Sequence, residues 1–451
     1  MARALPHGRT GAEAALRAGA AFEAEQILAA LLANAPRHRQ ASELELLHAK
    51  ALVDQSKAEA ALPILGRLCV DETLPPSDVA EATCLRAAAM YLLNREGETE
   101  YASAAETAVV TARKAGSSEL TARSLFEYAR SGAETGDERR VRDAQTEIQT
   151  VVLSHDGSRL PIAWYALAYC HYFFFDLEQA AQCIERSIAL LSDSPNAIAL
   201  SLAHNALGVC KYYSSDLSGA HRSLDLALAA SREMGDDSRF SLTAANLCAL
   251  YTLEGRFDEA VRVGLMSVNT GNRVSSQPRL TIAYTNLAEA HMMLGQTQLA
   301  LDCMASAERI TSTQRSWRSN VEFLIERAQI ALMMGNTSLA LDVIGRIEKI
   351  ASGRERAVPE LGAFEKLRIF RAAHVQGHQE AYRLAVSARE TFRARHNVHY
   401  MQALAATAWL EARAAGLCSA ETEAELSIFD KLGARGLRAA VAAQGFFSRD
   451  G

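Results

Sequence analysis

Histidine pairs are the residues of this 451-residue chain whose spacing comes nearest to that of a metal or catalytic site. His374 and His378 are four positions apart, and His396 and His399 are three apart, which would place each pair on one face of a helix. A zinc site needs a further carboxylate or thiolate at ligand spacing, which both pairs lack, and Gly377 interrupts the first pair. We therefore predict neither a metal site nor a catalytic histidine.

The eight cysteines follow a different pattern, without any CxxC motif. Cys170 and Cys210 lie 40 positions apart, and Cys303 lies 40 positions after Val263 in a series that also includes Cys183. Cysteine that alternates with valine behaves as a small core hydrophobe, which indicates core positions and a reducing compartment. The sequence also lacks GxSxG and Gly-rich phosphate motifs, so we expect no enzyme activity and no cofactor.

Charge and hydropathy exclude two classes of partner. Lys and Arg total 47 against 53 Asp and Glu, for a net charge of −6, whereas a nucleic-acid binder usually carries a basic excess. No segment reaches the ~18 apolar residues that a membrane span requires. We expect a cytoplasmic protein with no direct nucleic-acid or membrane partner.

A small residue recurs at intervals of 40 positions through the middle of the chain. The series is Ala180, Ala220, Ala260, Ala300 and Ala340. Thirteen positions before the first four of these lie Leu167, Leu207, Leu247 and Leu287, and Arg327 breaks the second series. A fixed period of ~20–50 residues indicates a solenoid, whose units cannot bury an apolar face alone and are stable only when stacked.

The composition indicates that these units are helical, since aromatic residues are 6% and only nine prolines occur. We predict an all-α protein, a right-handed superhelical solenoid of antiparallel helix pairs. Five regular repeats occupy 161–352, and degenerate pairs precede them over 1–160. Further pairs, with the register slipped by one residue, and a capping helix over 437–447 follow in 353–451. Together they are expected to form one continuous solenoid.

The repeat resembles the tetratricopeptide repeat (TPR), whose signature combines a bulky residue, Leu, a small residue, an aromatic and a later Ala. The first repeat matches through Trp164, Leu167, Ala168, His171, Ala180 and Ile184, and the best match is the Gly-Arg-Phe-Asp-Glu-Ala run at 255–260. The period of 40 exceeds the family's period of about 34. Such a variant is similar to the helical sensor arms of bacterial transcription activators and to Gram-positive quorum-peptide sensors.

In the TPR family the first helix of each unit lines a concave surface, and the resemblance implies which residues point into it. The candidates for a peptide- or partner-binding groove are Tyr165, Tyr169, Tyr172, Asn205, Tyr212, Tyr213, Asn246, Asn286, Glu289 and Gln329. The same carry-over places Glu326 there. Asparagine can donate to and accept from a peptide backbone, and tyrosine offers contact area at low entropy cost. Alternatively, these side chains only pack neighbouring helices.

Two functional hypotheses remain from the sequence. The first is a non-enzymatic bacterial regulatory adaptor or sensor that holds a peptide or partner in its groove. Because the sequence has neither a helix-turn-helix unit nor a phosphate loop, its output would pass through a partner protein. The second is an assembly protein that self-associates through apolar terminal helices near Leu28 and Leu437.

Overall fold

A computed structural model describes residues 4–34, 39–93, 98–193, 196–274, 277–314, 316–355, 361–393, 398–415 and 419–436. In these ranges the regular structure is helical, with one 3₁₀ turn at Gly157–Arg159 and no strand. None of the helices found there is long and apolar enough to cross a membrane. The predicted all-α class of paired helices is confirmed.

The chain divides into two compact units. Unit 1 comprises Met1–Leu207, Asp225–Phe240 and Thr270–Pro278, and unit 2 comprises Gly208–Leu224, Ser241–Asn269 and Arg279–Gly451.

The helices wholly in unit 1 are α1 (Ala4–Ala18), α2 (Ala21–Asn34), α3 (Arg39–Asp54), α4 (Ala58–Leu68), α5 (Pro76–Leu93), α6 (Glu98–Ala115), α7 (Ser118–Thr135), α8 (Glu138–Leu153), α9 (Pro161–Phe173) and α10 (Leu177–Asp193). Those with residues in both units are α11 (Ala197–Tyr213), α12 (Leu217–Glu233), α13 (Asp237–Glu254), α14 (Phe257–Gly271) and α15 (Gln277–Met293). Those wholly in unit 2 are α16 (Thr297–Thr311), α17 (Trp317–Met333), α18 (Thr337–Ala351), α19 (Leu361–Val375), α20 (His378–Arg393), α21 (Val398–Ala415), α22 (Ala420–Leu426) and α23 (Ile428–Lys431).

Odd-numbered helices form a continuous layer within each unit. In unit 1 each helix from α1 to α9 packs on the next, and α1, α3, α5, α7 and α9 also contact one another in succession. In unit 2 the same pattern links α17, α19 and α21. We call all odd-numbered helices of a unit its inner layer, because the TPR resemblance assigns the first helix of each pair to the concave side.

The recurring small residues lie where helices approach most closely. All five alanines of the 40-residue series have no exposed surface. At Gly208, a Cβ atom would lie 2.6 Å from Leu224 Cγ, too close for a side chain. Gly208 lies outside the alanine series, and close packing leaves no room for a larger side chain there.

The turn inside each regular repeat places one residue in the left-handed conformation. These residues are Phe175, Ser215, Gly255, Gly295 and Gly335, again 40 positions apart, with φ between 56° and 79°. Asp176 and Asp216 directly follow the first two left-handed residues. Asp216 caps the next helix, since its Oδ1 accepts the Gly219 N–H at 2.8 Å.

Contacts between distant segments were not expected from a solenoid, in which each repeat touches only its neighbours. In unit 1, Ser238 Oγ donates to Ser56 Oγ at 3.2 Å, and Arg239 Nη1 donates to the Asp54 carbonyl at 2.8 Å. These partners are 182 and 185 residues apart. The end of α3 is therefore held by the start of α13.

The prediction for the cysteines is confirmed for Cys170, Cys183 and Cys210, which are buried. Burial raises the pKa of Cys170 and of Cys210 to about 12, so these thiols stay protonated. Cys303 is only partly buried.

Self-association through the terminal helices stays a prediction. Leu28 itself has no exposed surface and packs with Ala12, Leu16 and Ala24, whereas Phe22 on the same helix is exposed. Leu437, the helix predicted over 437–447 and His396 lie outside the described residues.

Candidate functional site

The inner layer of unit 1 carries an aromatic cluster built on α7 and α9. Tyr165 and Tyr169 are half-buried, one helical turn apart. Both meet the Phe126 ring edge to face, with centroids 5.6 Å and 5.3 Å away. Tyr172 and Asn205, the other two unit 1 candidates, are also half-buried. The sequence did not single out Phe126, because its repeat lacks the sharp signature of the later ones.

A cation lies inside this cluster. The Arg130 guanidinium is 3.7 Å from the Tyr91 ring centroid and 4.9 Å from that of Phe126. It also pairs with Glu127, whose carboxylate accepts the Tyr101 hydroxyl at 3.0 Å. The cluster therefore combines aromatic surface with a positive charge that is already compensated.

Two further candidates, Tyr212 and Tyr213, belong to unit 2. Their rings meet edge to face at 5.1 Å, and Tyr213 is buried while Tyr212 is half-buried. The Tyr213 ring stacks on His399 at 5.2 Å. Nδ1 of His399 accepts the Gly362 N–H at 3.1 Å, and complete burial lowers the His399 pKa to about 3. Tyr213 therefore helps to enclose a neutral histidine, a packing role.

The asparagines of unit 2 stand on neighbouring inner-layer helices. Asn246 on α13 and Asn286 on α15 are both half-buried. Asn286 Nδ2 donates to the Ala245 carbonyl at 2.9 Å. One hydrogen bond of Asn286 thus connects α15 to α13, which is a packing role. Because the side chain is only half-buried, it also stays a candidate for the groove.

A buried charge lies behind the remaining candidates. Lys366 on α19 is 1% exposed, and its ammonium donates to Gln329 Oε1 at 2.7 Å. Gln329 Nε2 in turn donates to Glu326 Oε1 at 3.0 Å. Burial lowers the pKa of Lys366 to about 8, although attraction to Glu289 and to Glu326 acts the other way. The ammonium form therefore prevails at neutral pH.

We call Glu289, Glu326, Gln329 and Lys366 the polar cluster of unit 2; Asn246 and Asn286 stand on α13 and α15, and Glu289 is also on α15. Glu289 and Glu326 are half-buried, whereas Gln329 is 8% exposed. Lys366 was missed because the inner positions were carried over only through the regular repeats, which end at 352. The sequence signal that could have found Lys366 is a charged residue at a position where the helical spacing predicts a core residue.

Metal chemistry finds no support in the described ranges, where no group of three His, Cys, Asp or Glu side chains could hold an ion. His374 is instead fixed by its neighbours. Its Nδ1 lies 2.9 Å from the Phe370 carbonyl, and its Nε2 lies 2.8 Å from Arg413 Nη1.

Among the comparisons with known proteins, the one with solved structures identifies the fold. No family model matches the sequence, and no curated protein does so. A Rap protein complexed with competence and sporulation factor matches with a TM-score of 0.54 at 14% identity, over 78% of this chain and 99% of that one. NprR in complex with its cognate peptide NprX matches with a TM-score of 0.54 at 11% identity, over 78% and 98%. The chain has a TPR-like fold. The resemblance stated from the sequence is thereby confirmed for the fold.

Proposed function

We propose that the chain is a non-enzymatic regulatory sensor or adaptor that binds a peptide, or an extended segment of a partner protein. The binding surface is the inner helix layer, and the regulatory output passes to a partner. We further propose that the protein is bacterial and acts in the cytoplasm.

Two lines of support combine. Of the two solved structures of similar fold, one is a complex with competence and sporulation factor and the other a complex with a cognate peptide, NprX. In this chain, the residues that the TPR resemblance assigns to a groove include half-buried amides, carboxylates and tyrosines on odd-numbered helices. Such side chains suit an extended peptide, whose backbone groups must find new hydrogen-bond partners on binding.

The observation that carries the proposal is the polar cluster of unit 2. Packing between helices is served best by apolar side chains, and a buried ammonium with its amide partner adds little stability. Here Lys366, Gln329 and Glu326 form a connected chain of hydrogen bonds on consecutive odd-numbered helices. A cluster of this kind is better explained by ligand recognition than by packing.

The test is selection of a random heptapeptide library on the purified chain. The parent should enrich a family of peptides, and Asn246→Ala combined with Asn286→Ala should lower their affinity about tenfold or more, as expected for two lost hydrogen bonds. Asn269→Ala is the matched control, because Asn269 is an exposed asparagine of α14. Failure of the parent to enrich any peptide would count against the proposal. So would equal enrichment by the double variant.

A further inference from the structure

The exposed guanidinium of Arg413 is held in position near the C-terminal end of α21. Its Nη1 lies 2.8 Å from Nε2 of His374, and its Cζ lies 5.4 Å from the centre of the Trp409 ring. His374 stands near the end of α19, and α19 and α21 are packed inner-layer helices of unit 2. The contact therefore joins two neighbouring helices of the layer that we propose as the binding surface.

A stack of rings supports this contact. Phe370 and Trp409 are 5% and 7% exposed, and their rings stack with centroids 5.1 Å apart. The centroid of the His374 ring lies 4.3 Å from that of Phe370 and 5.9 Å from that of Trp409. A surface arginine usually samples many rotamers, and these contacts reduce that freedom before any ligand binds.

The hydrogen bonds of His374 fix which of its nitrogens carries the proton. An arginine side chain stays protonated and only donates, so Nε2 of His374 accepts the hydrogen bond from Arg413. Nδ1 then carries the hydrogen and donates to the Phe370 carbonyl at 2.9 Å. The imidazole in this contact is therefore neutral, and it does not compensate the positive charge of Arg413.

Arg413 forms no ion pair with a carboxylate in the part of the chain that the structure describes. Arg389, another arginine of unit 2, pairs with Glu425 at 2.8 Å. The carboxylate nearest to Arg413 in sequence belongs to Glu411, which instead accepts the Ser419 N–H at 2.8 Å. His374 uses one N–H group of the guanidinium, so the other N–H groups remain for a ligand.

We propose that Arg413 binds a carboxylate of the peptide ligand, and that His374 is a positioning residue that holds the guanidinium in place. This inference rests on the proposed function and extends the binding surface to α19 and α21, where the sequence predicted no groove residue. A guanidinium and a carboxylate can form two parallel hydrogen bonds, which add both affinity and directional selectivity. An acidic side chain and the C-terminus of a peptide both offer this group.

The experiment takes the peptides that the parent protein selects and measures their dissociation constants by fluorescence anisotropy. Each peptide is made unchanged, with its acidic residues replaced by asparagine or glutamine, and with an amidated C-terminus. One of the two altered forms should bind the parent about tenfold more weakly, the size expected for the loss of a charged hydrogen-bonded pair. The form that loses affinity identifies the source of the carboxylate.

Three variants then test the residues. Arg413→Gln should bind the unchanged peptide about tenfold more weakly and should no longer distinguish it from the altered form. His374→Phe keeps a ring in the stack but removes the acceptor, so it should retain only part of the discrimination. Arg346→Gln is the matched control, because Arg346 is an exposed arginine on α18, an even-numbered helix of the same unit.

The outcomes separate the two proposals. If the parent enriches no peptide, the proposed function fails and this inference fails with it. If the parent binds all three forms equally, or Arg413→Gln discriminates as the parent does, the function stands and the role of Arg413 is refuted. An equal loss in Arg346→Gln would also refute it, because the effect would then come from net charge. Full discrimination by His374→Phe would refute the positioning role of His374.

Discussion

The inner layers of unit 1 and unit 2 are made from the same kind of helix, yet they handle charge in opposite ways. In unit 1, Glu81 lies between two cations, with Lys50 at 3.1 Å and Arg123 at 3.2 Å. Burial raises its pKa, but the attraction of both cations outweighs this and lowers the pKa to about 2. In unit 2, the buried Lys366 ammonium is instead held by the neutral amide of Gln329, at 2.7 Å.

This difference indicates that the charged side chains of the two units have different roles. The charges and aromatic rings of unit 1 are satisfied by one another, as in the stack of Arg130 on Tyr91. They join helices α3, α5 and α7, which is a packing role. In the polar cluster of unit 2, the Glu289 and Glu326 side chains are half-buried on odd-numbered helices, so we propose this cluster as the better candidate for recognition.

The largest effect is expected when the Arg130 cation of unit 1 is removed. The Arg130 side chain is 14% exposed and pairs with Glu127, whose side chain is 6% exposed. Arg130→Met should lower the free energy of unfolding by about 3–5 kcal/mol, because it leaves a buried carboxylate without its partner. Denaturant titration followed by circular dichroism measures this loss.

Adding Glu127→Gln should restore part of that stability. Arg139→Met is the control, since Arg139 is 91% exposed and its ion pair should contribute less than about 1 kcal/mol. An Arg130→Met protein as stable as the parent would show that the stack in unit 1 is not structural.

A second prediction concerns the neutral histidine of unit 2. His399 has a folded-state pKa of about 3 against an ordinary value of 6.5, because burial disfavours its charged form. Above pH 6.5 the His399 side chain is neutral in both the folded and the unfolded state. Below pH 6.5 the side chain takes up a proton in the unfolded chain but not in the folded protein, so the stability falls as the pH drops towards 3. Between about pH 7 and pH 5, this difference contributes about 2 kcal/mol of lost stability.

The His399→Asn variant keeps an acceptor for the Gly362 N–H and cannot titrate in this range. Its unfolding free energy should therefore fall less than that of the parent over the same pH interval. Parallel pH profiles for the two proteins would show that His399 is not held neutral by the fold.

The smallest effect tests the repeat geometry. Gly295 has φ of 70°, and a Cβ there would meet no atom within 4 Å, so Gly295→Ala isolates backbone strain. It should cost about 1 kcal/mol, while Ser215→Gly, at φ of 66°, should stabilise by about as much. Thermal melts of both variants measure the pair, and shifts of the same sign would contradict the shared turn conformation.

The sequence predicted the fold well because its 40-residue period follows the positions where helices pack against each other. Alanines such as Ala260 recur where helices cross, and glycines such as Gly255 recur where the chain turns. The period could not locate the left-handed residue in the first two repeats, since Phe175 and Ser215 give no glycine signal there.

Other features could not be predicted from the sequence, because no local sequence pattern encodes them. Contacts such as that of Arg239 with Asp54 join segments that are far apart in sequence, and no nearest-neighbour repeat predicts them. Arg130 lies in a degenerate repeat and Lys366 lies beyond the last regular one. The three-part division at 160 and 352 and the groove residues themselves stay predictions.

The most direct measurement is photo-cross-linking of a selected peptide, with the linked protein residues mapped by mass spectrometry. The account predicts links to odd-numbered helices of unit 2, above all to α13 and α15 around Asn246 and Asn286. Links confined to even-numbered helices such as α16, α18 or α20 would contradict it.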